Sequence, residues 1–140
     1  MNWQNGNWYD IRDLIPQRYP FFLVDRILEL SDDRILTKKQ VTDGDYLTIS
    51  GSFLIEHMAQ SAAALFGYRF REKSCEHMYL AGIEDANIVH RSQAGETLFT
   101  EVVVLIAVAN LAKVHCCSYV NPSMEEQDMA GYATLVLYVD

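Results

Sequence analysis

The amino-acid sequence predicts an α+β fold in which an antiparallel sheet wraps around one long central helix. The helix is predicted over Ser50–Gly67, where apolar residues occupy nearly every side at helical spacing, the pattern of a buried helix. Two segments typical of strands precede this helix and about four follow it, an order that favours a sheet folded around a single helix. With 140 residues, 50% of them hydrophobic, residues 1–140 are expected to form one domain with its own core.

The remaining elements follow in a simple order along the chain. A short helix is predicted over Asp10–Ile15 and ends before Pro16 and Pro20. The loop 42–49 leads into the central helix, and the polar segment 121–128 forms a hairpin loop. No repeat, low-complexity tract or interdomain linker interrupts the order. The strands are predicted over segments 21–30, 34–41, 78–89, 97–108, 113–120 and 129–139.

The composition argues against several classes of function. The net charge of −8 disfavours general nucleic-acid binding, which needs a basic surface. No apolar segment approaches the length that crosses a membrane, and the amino terminus lacks the pattern of a signal peptide, so we expect a cytoplasmic protein. Cys75, Cys116 and Cys117 are odd in number and include an adjacent pair, which indicates buried or half-buried residues rather than a disulfide framework. No histidine or cysteine shows metal-ligand spacing, and no metal or other cofactor is expected.

Four polar residues interrupt the apolar surface of the central helix. A spacing of four places Glu56 beside Gln60 on one strip, and His57 beside Ser61 on the adjacent strip. A buried carboxylate is costly unless it is hydrogen-bonded or paired, and burial raises its pKa toward values that are useful in acid–base catalysis. Taken alone, this pattern favours a core carboxylate bonded to a loop amide or an arginine over a catalytic one.

Three motifs then indicate a family. The segments Leu14–Arg26 (LIPQRYPFFLVDR), Gly51–Gln60 (GSFLIEHMAQ) and Leu80–Asn87 (LAGIEDAN), the last followed by a Gly-Glu turn, occur in this order along the chain. They resemble the corresponding motifs of bacterial 3-hydroxyacyl-acyl-carrier-protein dehydratases of the FabZ/FabA type. The resemblance implies a hotdog fold, in which the strands wrap a central helix. It also implies a dimer whose active sites lie between subunits, and acyl thioesters of acyl carrier protein or coenzyme A as substrates.

The resemblance extends to some of the family's site residues. It implies that Glu56 is the catalytic carboxylate of the helix, that Gln60 is the helix glutamine of the site, and that the amide of Gly51 helps to bind the thioester carbonyl. The family's catalytic His lies in a loop before the helix, but Thr42–Ser50 contains no His and no Pro. His57 replaces the family's usual Ala, and it is either a substitute acid–base group or a structural residue that packs at the dimer interface or bonds a backbone carbonyl. The other histidines, at positions 77, 90 and 115, are weaker candidates.

Two classes of function follow from these residues. The first is a hydro-lyase that removes water from 3-hydroxyacyl thioesters in fatty-acid or polyene biosynthesis, with a thioesterase of the same fold as its variant. The second is a non-catalytic dehydratase-like subunit that binds acyl carrier protein or pairs with an active homologue in a heterodimer.

Two surface features bear on the partners of the chain. The uncharged run at the end of Thr97–Val108 predicts a homodimer or larger assembly that buries apolar surface. Arg69, Arg71 and Lys73 follow the central helix, where they form either a basic patch for an acidic partner or a solvated helix end whose cations suit the helix dipole.

Overall fold

The computed structural model describes residues 10–17, 22–42, 52–71 and 78–139. Within these ranges the chain forms one α-helix, α1 (Ser52–Arg69), and six strands. Short 3-10 helices cover Ile11–Asp13 and Glu126–Asp128. No helix in these ranges is long and apolar enough to cross a bilayer. The strands are β1 (Arg26–Leu30), β2 (Arg34–Gln40), β3 (Met78–Ile88), β4 (Thr97–Val108), β5 (Leu111–Tyr119) and β6 (Met129–Val139).

The strands form one antiparallel sheet in the order β1-β2-β4-β5-β6-β3. Short turns connect β1 to β2 and β4 to β5, and each of these consecutive pairs is hydrogen-bonded, as expected for hairpins. The strand that follows α1, β3, instead pairs with β6. The predicted antiparallel sheet with one long helix is therefore confirmed, and β1 and β3 form its two edges.

The core lies between α1 and one face of the sheet. Phe53, Met58 and Phe66 of α1 are at most 1% exposed, and Leu98 and Val102 of β4 are fully buried. The two β4 residues lie on the same face because alternate residues of a strand point to the same side. Each large apolar side chain buried in this way contributes roughly 1.5–3 kcal/mol to folding.

One stripe of α1 remains half-exposed. It comprises Ile55, Glu56, Ala59 and Ala63, which follow one another at helical spacing. The expectation that the helix is buried on every side is wrong for this stripe, because no described element covers it completely. The uncovered stripe is the part of α1 that carries Glu56.

The strand predicted to begin at residue 21 begins at Arg26. Within the described part of that segment, residues 22–25 lie outside the strand. The backbone of Leu23 bonds to side chains of α1 instead, with its N–H donating to Gln60 and its carbonyl accepting from His57. Two α1 side chains therefore satisfy polar backbone groups that a sheet partner would otherwise satisfy.

The sheet exposes apolar side chains in two regions. At the β3 edge, Leu80 and Ile83 are 42% and 48% exposed. They are in register with Leu137 and Leu135 of β6, which are buried, so they lie on the inner face beyond the cover of α1. The second region is the β4–β5 hairpin end, where side chains such as Val108 are exposed.

Arg69, the last residue of α1, and Arg71 just beyond the helix bind the β1–β2 turn. The Arg69 guanidinium lies 3.0 Å from the Asp33 carboxylate, and Arg71 lies 3.4 Å from the Asp32 carboxylate. The Arg71 guanidinium also stacks over the ring of Tyr68. Their charges are thus balanced locally, which favours the structural interpretation of these residues over a basic docking patch. Lys73 lies outside the described residues.

Candidate active site

A cavity of about 160 Å³ lies beside the half-exposed stripe of α1, where the helix meets β3 and β6. Its walls combine polar and apolar side chains, and Glu56 is the one titratable side chain among the described residues that line it. The structure therefore places Glu56 and Gln60 together at a cavity, whereas the third residue of the helix motif, Gly51, lies outside the described residues. The described lining consists of Gln17, Glu56, Ala59, Gln60, Ala63, Met78, Leu80 and Leu137.

The side chain of Gln60 holds the Glu56 carboxylate. Its Nε2 group donates to Glu56 Oε1 at 3.0 Å, between residues one helical turn apart. The backbone N–H of Leu23 donates to Gln60 Oε1 at 2.7 Å. Because the N–H of Leu23 requires an oxygen as its acceptor, Oε1 of Gln60 faces Leu23 and the Nε2 group faces Glu56. The Glu56 carboxylate consequently faces an N–H donor.

The ring of His57 points away from this cavity, toward the sheet. The side chain is fully buried and contacts two fixed groups, with Nδ1 2.7 Å from the Leu23 carbonyl oxygen and Nε2 2.7 Å from Thr100 Oγ1. Burial lowers the pKa of His57 from 6.5 to about 4, and the nearby Lys39 ammonium acts in the same direction. The hydrogen bond to Leu23 and the charge of Asp25 oppose this shift. His57 is therefore neutral at pH 7.

These contacts bear on the two interpretations of His57. Adjacent residues of a helix diverge by about 100°, so Glu56 and His57 face different surroundings. Both ring nitrogens of His57 are engaged, and the residue is not part of the cavity lining. The geometry favours a packing role over a catalytic one. The described residues then present a single acid–base group, Glu56, to the cavity.

The structure places two other histidines away from the cavity. His90 follows β3, and its Nε2 atom lies 2.8 Å from a carboxylate oxygen of Glu96. His115 lies on β5, opposite Val103 of β4, and its ring contacts that of Tyr132. His77 lies outside the described residues, as do residues 43–50, where the His loop of the family would lie.

Three residues near the site were not identified from the sequence. Leu23 was assigned to a strand, yet both of its backbone polar groups bind α1. Thr100 and Ser118 are fully buried hydroxyl residues on neighbouring strands, 2.6 Å apart. The sequence offers one signal for them, because each is a polar residue at an inward position of an otherwise apolar strand.

A family model for ApeP-like proteins, described as ApeP dehydratase, matches residues 9–131. The chain belongs to the ApeP-like dehydratase family. FabZ-type 3-hydroxyacyl-[acyl-carrier-protein] dehydratases are also similar to this ApeP-like chain. The one from Solibacter usitatus (strain Ellin6076) is 34% identical over 114 residues, which cover 75% of this chain and 70% of the relative. The one from Aromatoleum aromaticum is 33% identical over 116 residues, which cover 74% and 80%. The FabZ-like assignment is confirmed.

Solved structures confirm the hotdog fold of this ApeP-like protein. The dehydratase heterocomplex ApeI:P from Xenorhabdus doucetiae superposes with a TM-score of 0.81 at 16% identity, covering 96% of this chain and 93% of that chain. A hypothetical thioesterase from Streptococcus pneumoniae with coenzyme A superposes with a TM-score of 0.63 at 9% identity, covering 82% and 84%. At these identities the likeness concerns the fold alone.

Proposed function

We propose that this protein is a subunit of a hydro-lyase that acts on 3-hydroxyacyl and enoyl thioesters of acyl carrier protein, and that a homologous subunit supplies its second acid–base group. The observation that carries this proposal is Glu56, a carboxylate held by Gln60 at a cavity that also has apolar side chains of β3 and β6 in its wall. Membership of a dehydratase family and similarity to FabZ-type enzymes support the reaction and the carrier.

The chemistry requires two groups at the reacting carbons. Removing water from a 3-hydroxyacyl thioester takes a proton from C2 and the hydroxyl from C3, which needs a base and an acid. Negative charge also develops on the thioester oxygen, and backbone amides at the amino end of a helix such as α1 are the kind of donor that stabilises it. Glu56 takes one of the two acid–base roles. The other role is unfilled among the described cavity residues, because His57 faces the sheet.

The size of the cavity supports a site shared between subunits. Binding sites for small molecules usually occupy about 300–1,000 Å³, whereas this cavity measures about 160 Å³. Its lining includes Met78 and Leu80 of the edge strand β3, where apolar side chains remain exposed. A second subunit that pairs with this edge would cover Leu80 and Ile83 and enlarge the enclosed volume.

The second subunit is expected to be a homologue rather than another copy of this chain. No histidine occurs between Thr42 and Ser50 in the sequence, so a second copy brings no loop His of the family type. A homologue with an intact His loop would provide one. The similarity of this fold to a chain of the ApeI:P heterocomplex supports such pairing. The cytoplasmic location expected from the sequence is part of the same proposal.

The test reconstitutes the shared site from two incomplete subunits. The partner is a homologue that keeps its loop His but carries Gln in place of its own helix Glu. Hydration of crotonyl or longer enoyl thioesters is followed by absorbance for each protein alone and for the mixture. We expect negligible rates for the separate proteins and a clear rate for the mixture, since only the mixture combines a His with Glu56.

Matched variants connect the rate to Glu56. In the mixture, Glu56→Gln should lower the rate by roughly 10²-fold or more, as expected for loss of an acid–base group. Glu101→Gln is the control, because Glu101 binds Arg34 away from the cavity. A robust rate from this chain alone would overturn the requirement for a homologous subunit, and the variant His77→Ala would then show whether His77 is the second group. Release of free thiol without hydration would instead identify a thioesterase.

A further inference from the structure

A series of hydrogen bonds connects the inner face of the sheet to the Glu56 carboxylate, and it begins with three side chains that the proposed chemistry does not use. The connection begins with Ser118 of β5 and Thr100 of β4, whose hydroxyl oxygens lie 2.6 Å apart. It continues from Thr100 to His57 of α1 at 2.7 Å. All three side chains are fully buried, so water does not compete for these bonds.

The donors in this connection follow from elementary hydrogen-bond rules. The Leu23 carbonyl accepts only, so Nδ1 of His57 carries the ring proton. The neutral ring then has a lone pair on Nε2, and Thr100 must donate its hydroxyl proton there. Thr100 therefore accepts from Ser118. The tautomer of His57 is thus fixed by its surroundings.

Leu23 links His57 to the site. Its carbonyl accepts from His57, and its N–H donates to Gln60 Oε1. The bond to His57 keeps the backbone of Leu23 in the orientation that aims this N–H at Gln60. Without it, the Gln60 amide is free to rotate and to present oxygen rather than N–H to Glu56, which would repel the carboxylate.

We propose that His57 is a positioning residue, which holds Leu23 so that the Gln60 amide presents its N–H to Glu56. This inference rests on the proposed function of Glu56 for its effect on the rate, but its effect on Gln60 is structural. The charged groups that act on His57 are Lys39 of β2 and Asp25, and they lie 3.6 Å from each other. Among the described residues that line the cavity, no charged group other than Glu56 faces Gln60.

Two replacements of His57 separate positioning from proton transfer. In His57→Asn the amide nitrogen takes the place of Nδ1 and keeps a donor for the Leu23 carbonyl, whereas His57→Leu removes the donor at similar size. Neither variant retains an acid–base group. The control is Thr37→Val, because Thr37 is also buried against α1 but bonds Ser61, which donates to the backbone carbonyl of His57 and not to its ring.

The first readout is the pH–rate profile of the reconstituted mixture. We expect His57→Leu to lower kcat/KM by about tenfold across the profile, the size of one hydrogen bond to a carboxylate. His57→Asn and Thr37→Val should keep the wild-type profile. If His57→Asn loses activity as completely as His57→Leu, the group acts in proton transfer and the positioning role is overturned.

The second readout needs no turnover. The side-chain amide signals of Gln60 in nuclear magnetic resonance spectra should respond to titration of Glu56 in the wild type, in His57→Asn and in Thr37→Val, and should lose this response in His57→Leu. An unchanged response in His57→Leu would refute the proposal even where the rate assay fails. If His57→Leu does not fold, Thr100→Val replaces it, because it keeps His57 but removes the donor to Nε2 along with the acceptor for Ser118, and it should weaken the response.

Discussion

The free energy of unfolding is expected to fall steeply between pH 6.5 and pH 4 because of His57. Burial lowers the pKa of this side chain to about 4 in the folded protein, whereas an exposed histidine titrates near 6.5. Between these values the unfolded chain binds a proton that the folded chain does not bind. Acidification through this range therefore favours unfolding.

The size of the effect follows from the two pKa values. Their difference, from 6.5 to about 4, corresponds to a loss of about 3 kcal/mol at roughly 1.4 kcal/mol per pH unit. Domains of this kind are stable by only about 5–15 kcal/mol. The loss begins just below pH 6.5 and is complete near pH 4, below which both states bind the proton.

The assay compares urea unfolding of the wild type and of His57→Asn from pH 7.5 to pH 4, at fixed protein concentration because assembly alters apparent stability. Carboxylates titrate in both proteins and cancel in the difference. We expect the stability advantage of the wild type to shrink by about 3 kcal/mol across this range. His115→Asn is the control and should retain the steep fall, because His115 is only half-buried. Parallel curves for the wild type and His57→Asn would refute the assignment of a buried neutral histidine.

Three further predictions follow from packing and exposure. Ile83→Lys at the β3 edge should shift the mixture with the homologous subunit toward monomers in light scattering, and unchanged assembly would contradict the proposed interface; Val108→Lys tests in the same way the exposed hairpin end, the surface that the uncharged run of β4 indicated. Gly67→Ala should lower the free energy of unfolding by about 1–3 kcal/mol in urea, despite a better helix propensity, because the added Cβ would lie 2.5 Å from a backbone oxygen. Burial raises the pKa of the Cys116 thiol and of the Cys117 thiol, so a thiol-alkylating reagent should modify them only when the protein unfolds. Mass spectrometry of the peptide that contains both cysteines measures this modification. Rapid alkylation of the native protein would show that β5 is more open than in this structure.

The sequence predicted the helix and strands of this protein and the position of Glu56 beside Gln60 on α1, because both depend on short-range periodicity. The apolar run of α1 and the alternation along the strands are readable from residue spacing alone. The same spacing placed Gln60 one turn from Glu56, and the two side chains are hydrogen-bonded. The expectation that the helix is buried on every side was wrong, because periodicity does not reveal how far the sheet extends over a helix.

The role of His57 depended on contacts that only the tertiary structure supplies. Helical spacing predicted that His57 and Glu56 face different directions, but it did not identify what each side chain would meet. The structure brings Leu23 and Thr100, which are 34 and 43 residues away in sequence, to the two ring nitrogens. A histidine with two such partners in a dry interior is neutral, whereas the same residue beside a cavity would be a candidate acid or base.

The sequence by itself therefore determined the fold class, the family and the position of the helix carboxylate, since each is encoded by local patterns and motifs. The tertiary structure decided which face of α1 stays open, what orients the Gln60 amide that holds Glu56, and that the two arginines at the end of the helix bind the β1–β2 turn. These features result from packing between segments far apart in the chain, where the match of shape and hydrogen-bonding groups, rather than residue spacing, sets the lowest free energy.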